Sequence, residues 1–391
     1  MKKTLIIVAI GLTLAGSAWG QKADSLFLSS LRHKYNDAHE QAFQDLQAAL
    51  AEDSTMAAAW FEISHYQLWL NKKEQAWNAL QKAVRYAPDN AVYRKNYAEL
   101  CLESGQNEEA ITTFKWLLQS DPQNPEWHAY LSSLYMHQKQ FDEAKPHLQY
   151  LTEVVPDDMT NWASLLTIAV NEQDTANIIA LSEQAQQLFP DVPDFYYYAG
   201  MTYFMQEDYQ AAMQTFQTAM NNLQDQQENA HYLSIFATQI ADLYYLMGKK
   251  KKAYNAYETA LQYNENNVAA LNNYAYFLSL DKSDLEKAEK MATLATQIEP
   301  DNATYLDTYA WVFFQRGKIA LAKTYIERAL EKATRTNGEM LEHYGDILYK
   351  AGEIDAAVEQ WERAKIVYLS ENESVKLIEK KIARRKYYSH K

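Results

Sequence analysis

The chain is poor in the residues that break a backbone or cross-link it. One cysteine among 391 residues excludes an internal disulfide framework and any zinc site built on several thiolates. Ten Gly and eight Pro are too few for a protein made of many tight turns, so the prediction is an all-α fold. No stretch after residue 20 approaches the ~20 apolar residues of a membrane-spanning helix. A Gly-rich phosphate loop is absent too. The nine His are scattered. His39-Glu40-Gln41-Ala42-Phe43 opens like a zinc-protease helix but ends in Phe where the second ligand belongs. His128 and His137 do not share one face of one helix turn. Cys101 reads as a buried, inert thiol with no basic neighbour to activate it. No catalytic constellation is visible, and the expectation is a non-enzymatic protein without cofactor or metal.

Apolar residues make up 48% of the chain, with 29 Tyr, 13 Phe and 9 Trp, enough for a packed fold. Residues 1–20 read as a signal peptide. Lys2 and Lys3 precede the apolar run Leu5 to Leu14, and Ala18-Trp19-Gly20 offers small residues around a cleavage site before Gln21. Leu14-Ala15-Gly16-Ser17 carries Ser where a lipidated Cys would stand. The expected location is therefore exported and periplasmic, with cleavage near Gly20 and no lipid anchor. Charge is segregated. The whole chain is −14. Residues 372–391 hold seven basic residues against Glu373 and Glu379, a net +5, and residues 21–371 carry 28 basic and 49 acidic residues, a net −21. Such a body repels nucleic acid and anionic membrane. The tail reads as a solvated helix face or as a contact for an acidic partner.

Prolines reveal a period. Pro88, Pro122, Pro156 and Pro190 are each 34 residues apart, and Trp60 and Trp162 are three periods apart. Around them recur a small residue (Ser64, Ala98, Gly200, Ala310, Gly345), a glycine (Gly105, Gly248, Gly317, Gly352) and a second-helix alanine (Ala76, Ala110, Ala144, Ala212, Ala253, Ala288, Ala322, Ala357). This pattern resembles the tetratricopeptide repeat, a 34-residue helix–turn–helix unit. The resemblance covers the chain after the signal peptide. It implies a right-handed superhelical solenoid of about ten units, near 23–56, 57–90, 91–124, 125–158, 159–192, 193–226, 234–267, 268–302, 303–336 and 338–371. The first and fifth are degenerate: the first fits weakly through Leu26, Ala42, Leu46 and Ala49, and in the fifth Ile178 and Ser182 replace the second-helix Ala and Phe. Residues 372–391 would form a basic capping helix, with Val375, Ile378 and Ile382 as its apolar stripe.

The resemblance also implies that each unit's first helix lines a concave groove through repeat positions 2, 5, 9, 12 and 13. Those positions read as aromatic, polar, aromatic along the chain. Phe61 and Trp69 stand near the start. Lys95, Glu99, Glu126 and Asn171 occupy the middle. Tyr197, Met201, Phe204, Tyr245, Tyr276, Trp311 and Phe314 follow. Aromatic and Met side chains carry recognition energy at adaptable interfaces, although an aromatic at helical spacing also reads as core. The Lys–Asn clamp of some relatives is missing, because Glu99 sits where Asn is needed beside Lys95. The expected function is a scaffold holding a protein or peptide of the cell envelope in this groove. Glycan capture on the aromatic faces is the alternative.

Overall fold

The computed structural model describes residues 18–223, 227–335 and 337–388. The n-region and apolar run of the expected signal peptide lie outside the described residues. Among those described, the chain forms 21 α-helices and no strand. It divides into two compact units, one ending at Glu172 and one beginning at Gln173.

The first unit contains α1 (Ala18–Tyr35), α2 (His39–Glu52), α3 (Ala57–Trp69), α4 (Lys73–Tyr86), α5 (Ala91–Glu103), α6 (Asn107–Ser120), α7 (Pro125–His137), α8 (Phe141–Val154) and α9 (Met159–Asn171). The second contains α10 (Thr175–Leu188), α11 (Pro193–Met205), α12 (Tyr209–Asn222), α13 (Ala230–Leu246), α14 (Lys250–Tyr263), α15 (Val268–Leu280), α16 (Leu285–Ile298), α17 (Ala303–Gln315), α18 (Ile319–Lys332), α19 (Gly338–Lys350), α20 (Ile354–Ser370) and α21 (Lys376–Arg384). Successive helices pack as hairpins, α3 on α4 or α17 on α18, and each hairpin packs on the next within its unit. In the second unit the first helices α13, α15, α17 and α19 also pack on one another in order.

Local chemistry explains the regularity. Each turn between the two helices of a repeat contains a left-handed residue: Asp37, Asn71, Gly105, Lys139, Gln173, Glu207, Gly248, Lys282, Gly317 and Gly352, with φ between 51 and 88°, and the α15–α16 turn holds a second, Asp284, at 39°. The next N–H reaches back over the helix end, as Gln106 does to the Cys101 carbonyl at 2.8 Å, closing a Schellman turn. Glycine adopts that φ freely, whereas the other residues each carry strain of about 1–2 kcal/mol. The start of a helix is fixed by side-chain caps. Asn90, Asn124, Asp158, Asn267, Asn302 and Asn337 each accept backbone N–H groups of the turn they open.

The small residue of each first helix lets the hairpin close. A Cβ added at Gly200 would lie 2.3 Å from the Phe216 ring, and one at Gly345 would lie 2.4 Å from Trp361. The tryptophans that mark the period act as stitches. Trp60 Nε1 donates to the Ser54 carbonyl (2.9 Å) and Trp162 Nε1 to the Pro156 carbonyl (3.0 Å). At the same repeat position His128 Nε2 meets Pro122 (3.1 Å) and the Tyr196 hydroxyl donates to Pro190 (3.1 Å). Each bond ties the end of one repeat to the first helix of the next and satisfies a carbonyl that the helix end leaves unpaired.

The capping helix is shorter than the sequence suggests, because Arg385 is left-handed and ends α21 at Arg384. Ile378 is buried, with Val375 and Ile382 packed around it as expected. Lys381 departs from the expected solvated basic face and is completely buried.

Candidate functional site

The helix-A face, formed by the first helix of each hairpin, is the surface to test. It differs between the two units. In the first unit Tyr35 (71% exposed) ends α1 and Trp69 (73% exposed) ends α3. Trp69 leans on His39, with centroids 5.8 Å apart, and His39 meets Tyr66 edge-on at 6.1 Å. Lys34, His39, His65, Tyr66 and Trp69 enclose a pocket of about 200 Å³. The Tyr66 hydroxyl is buried without a hydrogen-bond partner among the described residues. Burial, then the Glu62 carboxylate, pushes that phenol above its ordinary pKa. Phe61 is half-buried, stacked on Tyr93 at 4.5 Å and edge-on to His65 at 4.4 Å. Lys95 is engaged by Glu126 at 2.6 Å, which leaves the middle of the face polar and paired.

In the second unit the aromatic residues are progressively consumed by packing. Tyr197, Met201 and Phe204 are half-buried against one core cluster. Exposed Met205 continues their row. Tyr245 stacks on Phe277 at 3.7 Å and donates to Asp281 at 3.2 Å. Tyr276 donates to Glu339, two repeats ahead. Trp311 and Phe314, expected at the groove surface, are instead buried, at 4% and 7% exposure. Trp311 lies between Phe314 and His343, with centroids 4.7 and 3.9 Å away. The cause is tertiary: α15 and α19 pack on α17 from both sides, and Tyr387 closes over Phe314.

A buried ionic cluster underlies this closure, and no local pattern announces it. Lys381 Nζ reaches Glu342 at 2.6 Å and both Asp346 oxygens at 2.7 Å. Tyr368 donates to Glu342 and Trp361 Nε1 donates to Asp346. Burial raises the Asp346 carboxyl to about 6, against the pull of Lys381. His343 sits 2.9 Å from Asp307. Burial alone would lower the imidazole, but Asp307 and further carboxylates overcome it and raise His343 to about 9. Glu342 and Asp346 hold the same helix-A positions, 5 and 9, that expose side chains in open repeats. A cleft of about 710 Å³ opens beside the cluster, lined by Arg335, Glu339, Glu342, Tyr368, Glu371 and Glu373 among others.

Elsewhere His128 and His147 share a 2.9 Å Nδ1–Nδ1 contact. Burial, then His128 and Lys115, lowers His147 to about 4. Cys101 is buried and accepts from Trp77 Nε1 at 3.3 Å, and burial pushes its thiol up. Among the described residues no group of three or more His, Cys, Asp or Glu is arranged to hold a metal ion, and no helix is long and apolar enough to cross a membrane.

Two family models described as Tetratricopeptide repeat match the chain, one over residues 74–129 and 102–168 and the other over 161–366, more than half of its length. The chain belongs to the tetratricopeptide repeat family. No curated protein matches it. Among solved structures it is similar to the APC/C hetero-tetramer Cut9-Hcn1 (12% identity, 93% of this chain and 90% of that one, TM-score 0.47). It is also similar to yeast Tom70 (14% identity, 93% and 94%, TM-score 0.40). A third is Naa15/Naa10 bound to HypK-THB (15% identity, 86% of this chain, TM-score 0.41), of which the chain spans 62%.

Proposed function

We propose that the protein is a binding scaffold of the cell envelope that captures a segment of another envelope protein on its helix-A face. Membership of the tetratricopeptide repeat family supports protein interaction as the role. The observation that carries the location is the open end of the first unit, where Tyr35, Leu68 and Trp69 stand exposed beside a pocket lined in part by Tyr66. Exposed indole and phenol rings beside a pocket are the makings of an interaction hot spot. Export to a periplasm rests on the charged and apolar pattern of residues 1–20. A non-catalytic role follows from the absence of a recognisable constellation in the sequence.

The test is photo-crosslinking in the native envelope, with the probe at Trp69 and a control at Asn171, an exposed polar position of the same unit. A discrete protein adduct at Trp69 and none at Asn171 supports the reading and identifies the partner by mass. Adducts at neither position overturn a Trp69-centred protein site and direct attention to glycan arrays.

A further inference from the structure

α21 stops at a sharp corner. Arg385 is left-handed (φ 48°), and the Lys386 N–H bonds the Lys381 carbonyl at 3.0 Å. The corner lays the Tyr387 ring edge-on against Phe314, with centroids 5.6 Å apart. The ammonium groups of Lys350 and Lys381 stand 5.3 and 5.4 Å from the same ring centre. Beneath Phe314 lies Trp311, whose indole N–H is buried and has no partner among the described residues. The remaining ties of the segment are at the surface. Arg385 bonds the exposed Asp355, and the Tyr388 ring sits 4.0 Å from Lys380 Nζ.

We propose that Lys386–Tyr388 is a releasable strap: the chain's own occupant of the α17 helix-A face, displaced by a partner segment presenting an aromatic side chain next to cationic residues. The strap itself specifies that chemistry. Arg384, Arg385 and Lys386 precede Tyr387, and the face beneath carries Asp307, Glu339, Glu342 and Asp346. Asp307, Glu342 and Asp346 are buried and answered by His343 and Lys381, whereas Glu339 is exposed and within reach of an incoming cationic segment. The proposal rests on reading the helix-A face as a binding surface, and it concerns the second unit alone.

The experiment uses a fluorescein-labelled peptide of residues 383–388, Ala-Arg-Arg-Lys-Tyr-Tyr, titrated by anisotropy into the full chain and into full-length Tyr387→Ala. A tethered tail competes at an effective concentration on the order of millimolar, so its release is expected to tighten peptide binding about 10-fold. Tyr387→Phe should bind like the native chain. Equal affinity for the native and Ala chains overturns the proposal, and so does the absence of binding to Tyr387→Ala. A readout that needs no variant accompanies it: excess peptide should accelerate amide hydrogen exchange at Lys386 to Tyr388 of the native chain, and unchanged exchange overturns the strap. Crosslinking at Trp69 reports on the other unit, so either reading can fail while the other stands.

Discussion

Trp69 and Trp311 face the same way in their repeats, yet one stands in solvent and the other is buried. At the N-terminal end, exposed aromatic residues flank a small open pocket, and the nearby ion pair of Lys34 with Glu62 lies at the surface. At the C-terminal end, the corresponding face is closed by neighbouring first helices, by a tail tyrosine, and by an ion pair from which Lys381 is wholly excluded from water. An aromatic side chain on a helix-A face thus has no intrinsic exposure. Its fate depends on whether polar partners exist to bury the face around it. Tyr276 has Glu339, His343 has Asp307, and Lys381 has Glu342 and Asp346. Among the described residues nothing comparable closes over Trp69.

The sharpest way to break this comparison is to remove one cation at each end. Lys381→Met strands two buried carboxylates and should cost about 3–5 kcal/mol. Lys34→Met should cost under about 1 kcal/mol. Urea titration of each variant measures both, and equal losses would dissolve the distinction. Truncating the aromatic residues gives the parallel contrast. Phe314→Ala should lose about 3–5 kcal/mol as a buried ring. Trp69→Ala should stay within about 0.5 kcal/mol of the native chain while abolishing the Trp69-side adduct, read with a probe moved to Leu68.

Gly345→Ala drives a methyl into Trp361, and overpacking of this kind should cost about 1–3 kcal/mol by thermal unfolding. The two units should also respond to pH in opposite directions. His343, raised to about 9 in the folded chain from an ordinary 6.5, stabilises the second unit fully below pH 6.5. That contribution is lost as pH rises through 9. His147, lowered to about 4, contributes stability to the first unit above pH 6.5 that is lost as pH falls from 6.5 towards 4. Melting temperatures between pH 4.5 and 9.5 should lose their alkaline slope in His343→Gln and their acid slope in His147→Gln. One expected effect is a gain. Lys139 holds φ at 58° in a turn where four other repeats use glycine, so Lys139→Gly should stabilise the first unit by about 0.5–1 kcal/mol.

Much of the fold was legible in the chain because its causes lie within a few residues. A left-handed turn needs glycine or tolerates another residue at modest strain, and a hairpin closes only over a small side chain. An Asn or Asp opens a helix by capping it. These needs recur with the repeat and print its length onto the sequence, from Gly105 to Gly352 and from Ser64 to Gly345. The stitch from Trp60 to Ser54 was half legible, since its spacing was visible but the carbonyl it meets was not. The fate of each groove aromatic was not readable, because it is decided by residues tens of positions away. Tyr276 depends on Glu339, Phe314 on Tyr387, and Glu342 on Lys381. Periodicity places a side chain on a face, but only the packed neighbours determine whether water reaches it.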